Sequence, residues 1–317
     1  MEKKDLISVV VPCFNEEEAI LVFYKEVDKI SKTMKDVLFE FIFIDDGSTD
    51  KTLEVLRNLS SKDERVYYRS FSRNFGKEAA MLAGLEKTRG DYVTFMDVDL
   101  QDPPSMFPKM YKILKNEDYD CVALYTSSHE GYNFIRKAFT KMWYKLIKKL
   151  SNSNQLPGAR DFRLMKRPMV DSILSMKEYN RYMKGMFDYV GYKTKWISYE
   201  APERSVGTSK FSLTKLMKYA IEGITSSSTA PLITSTFIGL FFCLISFIAI
   251  MIIIIKTLVW QDSVPGWPSL ACIILFVSGV QLFFLGVMGI YLSKIFLEVK
   301  YRPVYFVKEE TLQKNKK

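Results

Sequence analysis

YVTFMDVDLQDPP, residues 92–104, is the stretch on which the fold of this chain turns. An apolar run over Asp91 to Met96 enters as a strand, two carboxylates one position apart (Asp97 and Asp99) follow, and Asp102-Pro103-Pro104 closes the segment as loop. The same arrangement recurs upstream. ISVVVP (7–12) runs into CFNEEE, LFEFIFI (38–44) runs into DDGSTD, and Val66 to Phe71 runs into SRNFGK. Helices are predicted between these strands: from the CFNEEE loop to about Met34, from Lys51 to Leu59 with Ser48 or Asp50 as cap, and from Lys77 to Lys87. Strands alternating with helices imply an α/β fold with a mainly parallel sheet. In such sheets ligands bind beyond the carboxyl ends of the strands, and every acidic loop named here falls on that edge.

Outside this α/β part the composition changes. Of the 317 residues 26% are charged, yet Leu232 to Ile255 and Ser263 to Ser293 contain no charged residue, and each is long enough to span a bilayer. The formal net charge is +9, and the basic residues cluster at Arg136 to Lys149, at Lys210 to Lys218 and after Lys294, near the apolar segments. Anionic lipid headgroups explain that placement better than nucleic acid does. Tyr132 to Leu150 and Phe211 to Ile224 have apolar residues at helical spacing with lysines between, a pattern shared by surface helices and helices lying on a membrane. Basic residues are denser before the first span and after the second, so the positive-inside rule puts both termini and the α/β domain in the cytoplasm. The expected division is a catalytic domain over 1–210, an amphipathic helix over 211–230 and spans over 231–255 and 269–293. An extracytoplasmic loop over 256–268 and a basic tail over 294–317 complete it. Four cysteines show neither disulfide nor metal-ligand spacing, and one histidine, His129, leaves little room for Ser-His chemistry. The N-terminus passes straight into a strand, without a signal peptide's apolar region.

A lone D-x-D is as readily a pair of loop aspartates as a site. Its position behind a buried strand favours Mg²⁺ or Mn²⁺, hard cations that take oxygen ligands and share them with a substrate diphosphate. In that role Asp97 or Asp99 binds the metal, with Gln101 near it. Asp45-Asp46-Gly47-Ser48 reads either as a helix cap and turn or as a carboxylate pair recognising a nucleobase or ribose.

Taken together, VVPCFNEEE, DDGSTD, SRNFGKEAAMLAGL and DVDLQDPP resemble family 2 glycosyltransferases of the GT-A (Rossmann-like) fold. The subgroup they are most similar to acts on polyprenyl phosphates and includes dolichol-phosphate mannose synthases and bactoprenol-phosphate glucosyltransferases. The resemblance runs from about Ile7 to Phe211. It implies that Pro12, Phe14, Glu16 and Asp46, with Asp45, line a nucleotide pocket, that Asp97 and Asp99 hold the metal, and that Lys77 contacts phosphate. In GARDFRLM (158–165) it implies that Asp161 stands where relatives place the acceptor-activating base. A phosphate monoester is largely dianionic at neutral pH. Asp161 is therefore expected to position, orienting Arg163 or holding metal and acceptor in line. The segment ERSVGTSKF (203–211) resembles a flexible R-x-x-G-x-S-K element whose Arg204 and Lys210 close over the diphosphate. Relatives clamp the lipid phosphate with several arginines after the strand near Val122. Here Arg136 is the candidate.

The implied reaction is inverting transfer of a sugar, from UDP-glucose, a UDP-hexosamine or GDP-mannose, to polyprenyl (undecaprenyl) phosphate. Its expected partners are the bilayer, a small flippase and further copies of the chain, with no role for nucleic acid. A processive polysaccharide synthase is the rival enzyme, opposed by only two spans and no Q-x-x-R-W motif. A non-catalytic scaffold is the rival of another class, opposed by intact carboxylates at Asp97, Asp99 and Asp161.

Overall fold

A computed structural model describes residues 4–126, 158–199, 225, 229–260 and 266–311. The chain forms two compact units, Met1–Leu213 with Arg302–Lys317, and Thr214–Tyr301.

The first unit is built on a sheet of eight strands. Its first half alternates β1 (Asp5–Cys13), α1 (Ala19–Thr33), β2 (Val37–Asp45), α2 (Thr52–Lys62), β3 (Val66–Phe71), α3 (Lys77–Leu85) and β4 (Tyr92–Phe95). A single 3₁₀ turn (Pro104–Met106) leads into α4 (Phe107–Asn116) and β5 (Cys121–Thr126). After residues outside the described set come β6 (Ala159–Lys166), α5 (Arg167–Ser175), α6 (Met183–Tyr189) and β7 (Thr194–Tyr199). The last strand, β8 (Val307–Glu310), follows the second unit in the chain. The strand order is β7-β5-β6-β4-β1-β2-β3-β8.

The parallel arrangement expected from the alternation holds for β4, β1, β2 and β3. β6 runs antiparallel to β4 and β5, and β8 runs antiparallel to β3, so the complete sheet is mixed. Both faces are covered, which is why the central strands are apolar at nearly every position. Ile7, Val9 and Val11 face Phe23, Val27, Leu56 and Met110 from α1, α2 and α4. Val10, Val93, Phe95 and Met165 face Met81, Leu85, Ile173 and Phe187 from α3, α5 and α6. Helix α3 lies especially close: a Cβ on Gly84 would stand 2.1 Å from Val10 Cγ1. This small-residue helix fits where a bulkier one would not. Glu40 is a buried charge in the middle of β2, and its carboxylate accepts from Ser8 Oγ at 2.6 Å and from Arg89 Nη2 at 2.8 Å.

The second unit contains α7 (Ala230–Trp260) and α8 (Trp267–Val299), of 31 and 33 residues. At 1.5 Å per residue each reaches about 45 Å or more, beyond the ~30 Å hydrocarbon core of a bilayer. Phe237, Leu282 and Phe283 are each about two-thirds exposed, and Pro231–Ala249 and Phe276–Val299 are apolar enough to cross a membrane. Both helices outrun the sequence expectation. Lys256–Trp260, expected as loop, continues α7, because one lysine near a helix end does not stop it. Lys294–Val299, expected as tail, continues α8, and the sheet recovers the chain eight residues later.

Candidate active site

The four parallel strands end on one edge, so the loops behind β1, β2, β3 and β4 meet there. β6 is antiparallel to β4 and starts at the same edge, which adds Arg160 and Asp161. Between β3 and β4 the chain crosses to the far side of β1, and such a switch point is where open α/β sheets bind ligands.

The β1 and β2 loops are laced together. Asn15 has a left-handed φ of 56°, donates its amide to Ser48 Oγ at 2.9 Å and accepts Thr49 N–H at 2.8 Å. The N-cap of α2 is Lys51, without a side-chain capping bond, so neither expected residue takes that position: Asp50, one residue before it, accepts Thr52 N–H at 3.0 Å, and Ser48 serves the β1 loop. Asp45 is buried, and its oxygens accept from Ser48 N–H at 2.9 Å and Ser70 Oγ at 2.6 Å. Asp46 accepts the amides of Phe75 at 2.6 Å and Gly76 at 2.9 Å. Gly47 has φ 70°, and a Cβ there would stand 2.3 Å from the carbonyl carbon of Arg73. The DDG turn and the SRNFG loop therefore touch backbone to backbone.

Lys77, the first residue of α3, is the centre of this edge. Its Nζ lies 2.7 Å from Asp97 Oδ1 and 2.7 Å from Asp161 Oδ2. Lys184 of α6 approaches Asp161 Oδ1 at 3.8 Å. Burial alone would raise the Asp161 pKa, but Lys77 and Lys184 outweigh it and hold the carboxyl at about 2. Burial likewise works against the Lys77 charge, and Asp161 and Asp97 more than offset it. Both groups are charged at neutral pH.

Residues 8–174 match the glycosyl transferase family 2 model, which covers more than half of the chain. The chain belongs to glycosyl transferase family 2. It is 43% identical to the bactoprenol glucosyl transferase of Shigella phage SfV, over 96% of this chain and 98% of that protein. It is 38% identical to the putative glycosyltransferase CsbB of Bacillus subtilis, over 98% and 93%. Among solved structures it resembles glucosyl-3-phosphoglycerate synthase of Mycobacterium tuberculosis in complex with Mn²⁺, UDP and phosphoglyceric acid. That match has a TM-score of 0.49 and 21% identity, covering 70% of this chain and 76% of that one.

In this family 2 glycosyltransferase, Glu16, Asp97 and Asp99 share the β1–β4 corner. Burial, then the charges of Asp99, Asp50 and Asp97, raise the Glu16 carboxyl. Pro12 is half-buried at the end of β1, and Phe14 beside it is 45% exposed. Gln101 faces Arg160, whose guanidinium donates to Gln101 Oε1 at 3.1 Å and to Asp102 Oδ1 at 2.8 Å. Asp102, buried, also accepts the Tyr199 hydroxyl, so it ties β4, β6 and β7 together.

Asp45 is held by Ser48 of its own turn and by Ser70 of β3, while Asp46 accepts from the 72–76 loop. Arg163 is 2% exposed, with its guanidinium 3.6 Å from the Phe187 ring centroid and its Nε without a partner. It shares a strand face with Asp161. Its Nη2 donates to the Arg160 carbonyl at 3.3 Å, and its charge adds to that of Lys77 and Lys184 in lowering the Asp161 carboxyl. Arg136, Arg204 and Lys210 lie outside the described residues.

Sequence reasoning missed Lys184 and Glu78. Glu78 Oε2 accepts Met183 N–H at 2.8 Å and so holds the start of α6, the helix carrying Lys184. Burial raises the Glu78 carboxyl to about 7, with the Met183 amide opposing and Asp161 assisting. Only the adjacency of Glu78 to Lys77 pointed to it. Lys184 had no local signal.

Proposed function

We propose that this glycosyltransferase moves a sugar, glucose by the naming of its relatives, from a uridine diphosphate sugar to polyprenyl phosphate. The observation that carries the reading is Lys77, bridging Asp97 on the donor side and Asp161 on the acceptor side. A single ammonium at that distance from both carboxylates fixes the separation of the two half-sites. It also meets a diphosphate entering between them. The relatives named bactoprenol glucosyl transferase match along nearly their whole length, both apolar helices included, which supports a lipid-borne acceptor.

A divalent cation, Mg²⁺ or Mn²⁺, fits the β1–β4 corner. The donors there are hard carboxylate oxygens, and Glu16, raised first by burial, is raised further by the charges of Asp99, Asp50 and Asp97. Among the described residues no three His, Cys, Asp or Glu side chains close a site alone. Asp97 and Asp99 would hold the ion and substrate oxygens complete its shell. When bound, the ion supplies charge neutralisation for the leaving diphosphate. The acceptor phosphate oxygen forms its bond to the anomeric carbon while the bond from that carbon to the diphosphate breaks, and the electron pair leaves with the nucleoside diphosphate. The result is inversion. Asp161 holds Lys77 and Lys184 in place and takes no proton, since its carboxyl stays ionised far below neutrality.

The placement proposed is the cytoplasmic face of the cell membrane. The chain leaves the sheet unit after Leu213 and returns to it at Arg302, which suits a two-span hairpin with both ends on one side. The basic clusters support the cytoplasm as that side. A flippase for the product, and self-association, extend the same reading.

The test is transfer of label from a panel of UDP- and GDP-sugars to undecaprenyl phosphate, with detergent-solubilised protein and Mn²⁺. Label in the lipid phase from UDP-glucose is expected. Chelation of the metal should abolish it, and Asp99→Ala should lower turnover by about a hundredfold or more. Nucleotide release without lipid labelling would reject the acceptor.

A further inference from the structure

The chain beyond α8 does more than complete a sheet edge. Ser72 N–H donates to the Phe306 carbonyl at 2.9 Å, just ahead of the β3–β8 pairing. Tyr305 stacks on Phe71 with ring centroids 4.7 Å apart, accepts from Arg69 Nη1 at 2.7 Å and donates to Glu86. The Phe306 ring lies 6.1 Å from that of Phe75, and the Arg73 guanidinium covers Phe75 at 4.1 Å. Phe75 and Gly76 are the residues whose amides hold Asp46, and Lys77 is next in the chain. Gly47 abuts Arg73 and Asn74. The loop 72–76 is therefore held on one side by the DDG turn and on the other by residues 305 and 306.

Anchoring of β8 does not need the Phe306 ring. Arg57 pairs with Glu309, and Arg69 and Lys87 pair with Glu310 at 2.8 and 3.2 Å. Phe306 is 55% exposed and belongs to no core cluster among the described residues. Its contact is with the loop.

We propose that Tyr305 and Phe306 are positioning residues for the nucleotide. They brace loop 72–76 against Asp46, so the donor half-site is ordered only when the chain has returned from the second apolar helix to the sheet. A loop held in its binding conformation loses less conformational entropy when ligand arrives. The inference rests on reading this edge as the donor site, and it deepens that reading by making the post-helix segment part of it.

The test uses the full-length protein, UDP with Mn²⁺ as probe, and two variants, Phe306→Ala and Tyr305→Phe. Phe306→Ala should weaken UDP binding and raise the donor KM about fivefold, with kcat at saturating donor and the acceptor KM held within about twofold. Tyr305→Phe keeps the stack and removes the hydroxyl bonds, so its effect should be smaller in the same direction. In both variants the amides of 72–76 should exchange hydrogen faster without ligand, before any global loss of protection. Unchanged exchange, or faster exchange with unchanged UDP affinity, would overturn the proposal. Absence of UDP binding in the parent protein would overturn both it and the donor-site reading. The exchange data distinguish that failure from failure of the brace.

Discussion

Asp161 and Glu78 sense each other's charge, yet their carboxyls are driven in opposite directions. Flanked by two lysines, Asp161 is held at about 2, and Glu78, buried with one amide donor, is raised to about 7. Of the two, Glu78 is the one that titrates near neutrality. An ionisation near pH 7 is therefore expected in the turnover profile, absent in Glu78→Gln, while turnover of Asp161→Asn should not recover as pH rises. The linkage signs differ as well. The raised Glu78 pKa gives stability that is full below its ordinary value of 4.5 and lost as pH rises through about 7. The depressed Asp161 pKa gives stability present above 3.8 and lost as pH falls through about 2. Glu78→Gln should thus flatten the Tm profile between about pH 5 and 7. The carboxylates at strand ends were legible in the sequence because apolar runs pass directly into Asp45-Asp46 and into Asp97 and Asp99. Glu78 and Lys184 were not, because their place depends on how α6 packs, which no local pattern encodes.

Among elements, the turn at Gly47 is the most demanding. Its φ of 70° and the 2.3 Å approach to Arg73 leave no room for a side chain, and the obstructing atoms are backbone. Gly47→Ala should cost about 1–3 kcal/mol of stability, read as a lowered Tm, and weaken UDP binding along with it. The strands β1, β2 and β3 were legible as apolar runs bounded by polar loops. ARDFRLMK, which forms β6, was read as a motif, because its charged residues mask the alternation that places Phe162 and Leu164 on one face. VKEE, which forms β8, offers three charged residues of four and no strand signal. It pairs because β3 presents an open edge and Arg57 and Arg69 stand ready for Glu309 and Glu310. Long-range pairing of this kind is set by the partner strand and is invisible in the segment itself.

For the whole molecule, the proposed two-span arrangement predicts opposite exposure for two engineered thiols. Ser263→Cys, between the helices in sequence, should react with a membrane-impermeant maleimide in intact cells, and Lys308→Cys in β8 should react only after lysis. Equal labelling of both would reject the topology. The native thiols described, Cys13 and Cys121, are buried. The position of β8 also orders the birth of the protein. Because this strand is synthesised after both apolar helices, the β3 edge stays open while they leave the ribosome, with unpaired backbone groups exposed. Sheet closure is then a late event in biogenesis. On the brace proposed above, a chain released before β8 is made would keep its donor loop unbraced, so donor binding is expected only after both apolar helices have been synthesised.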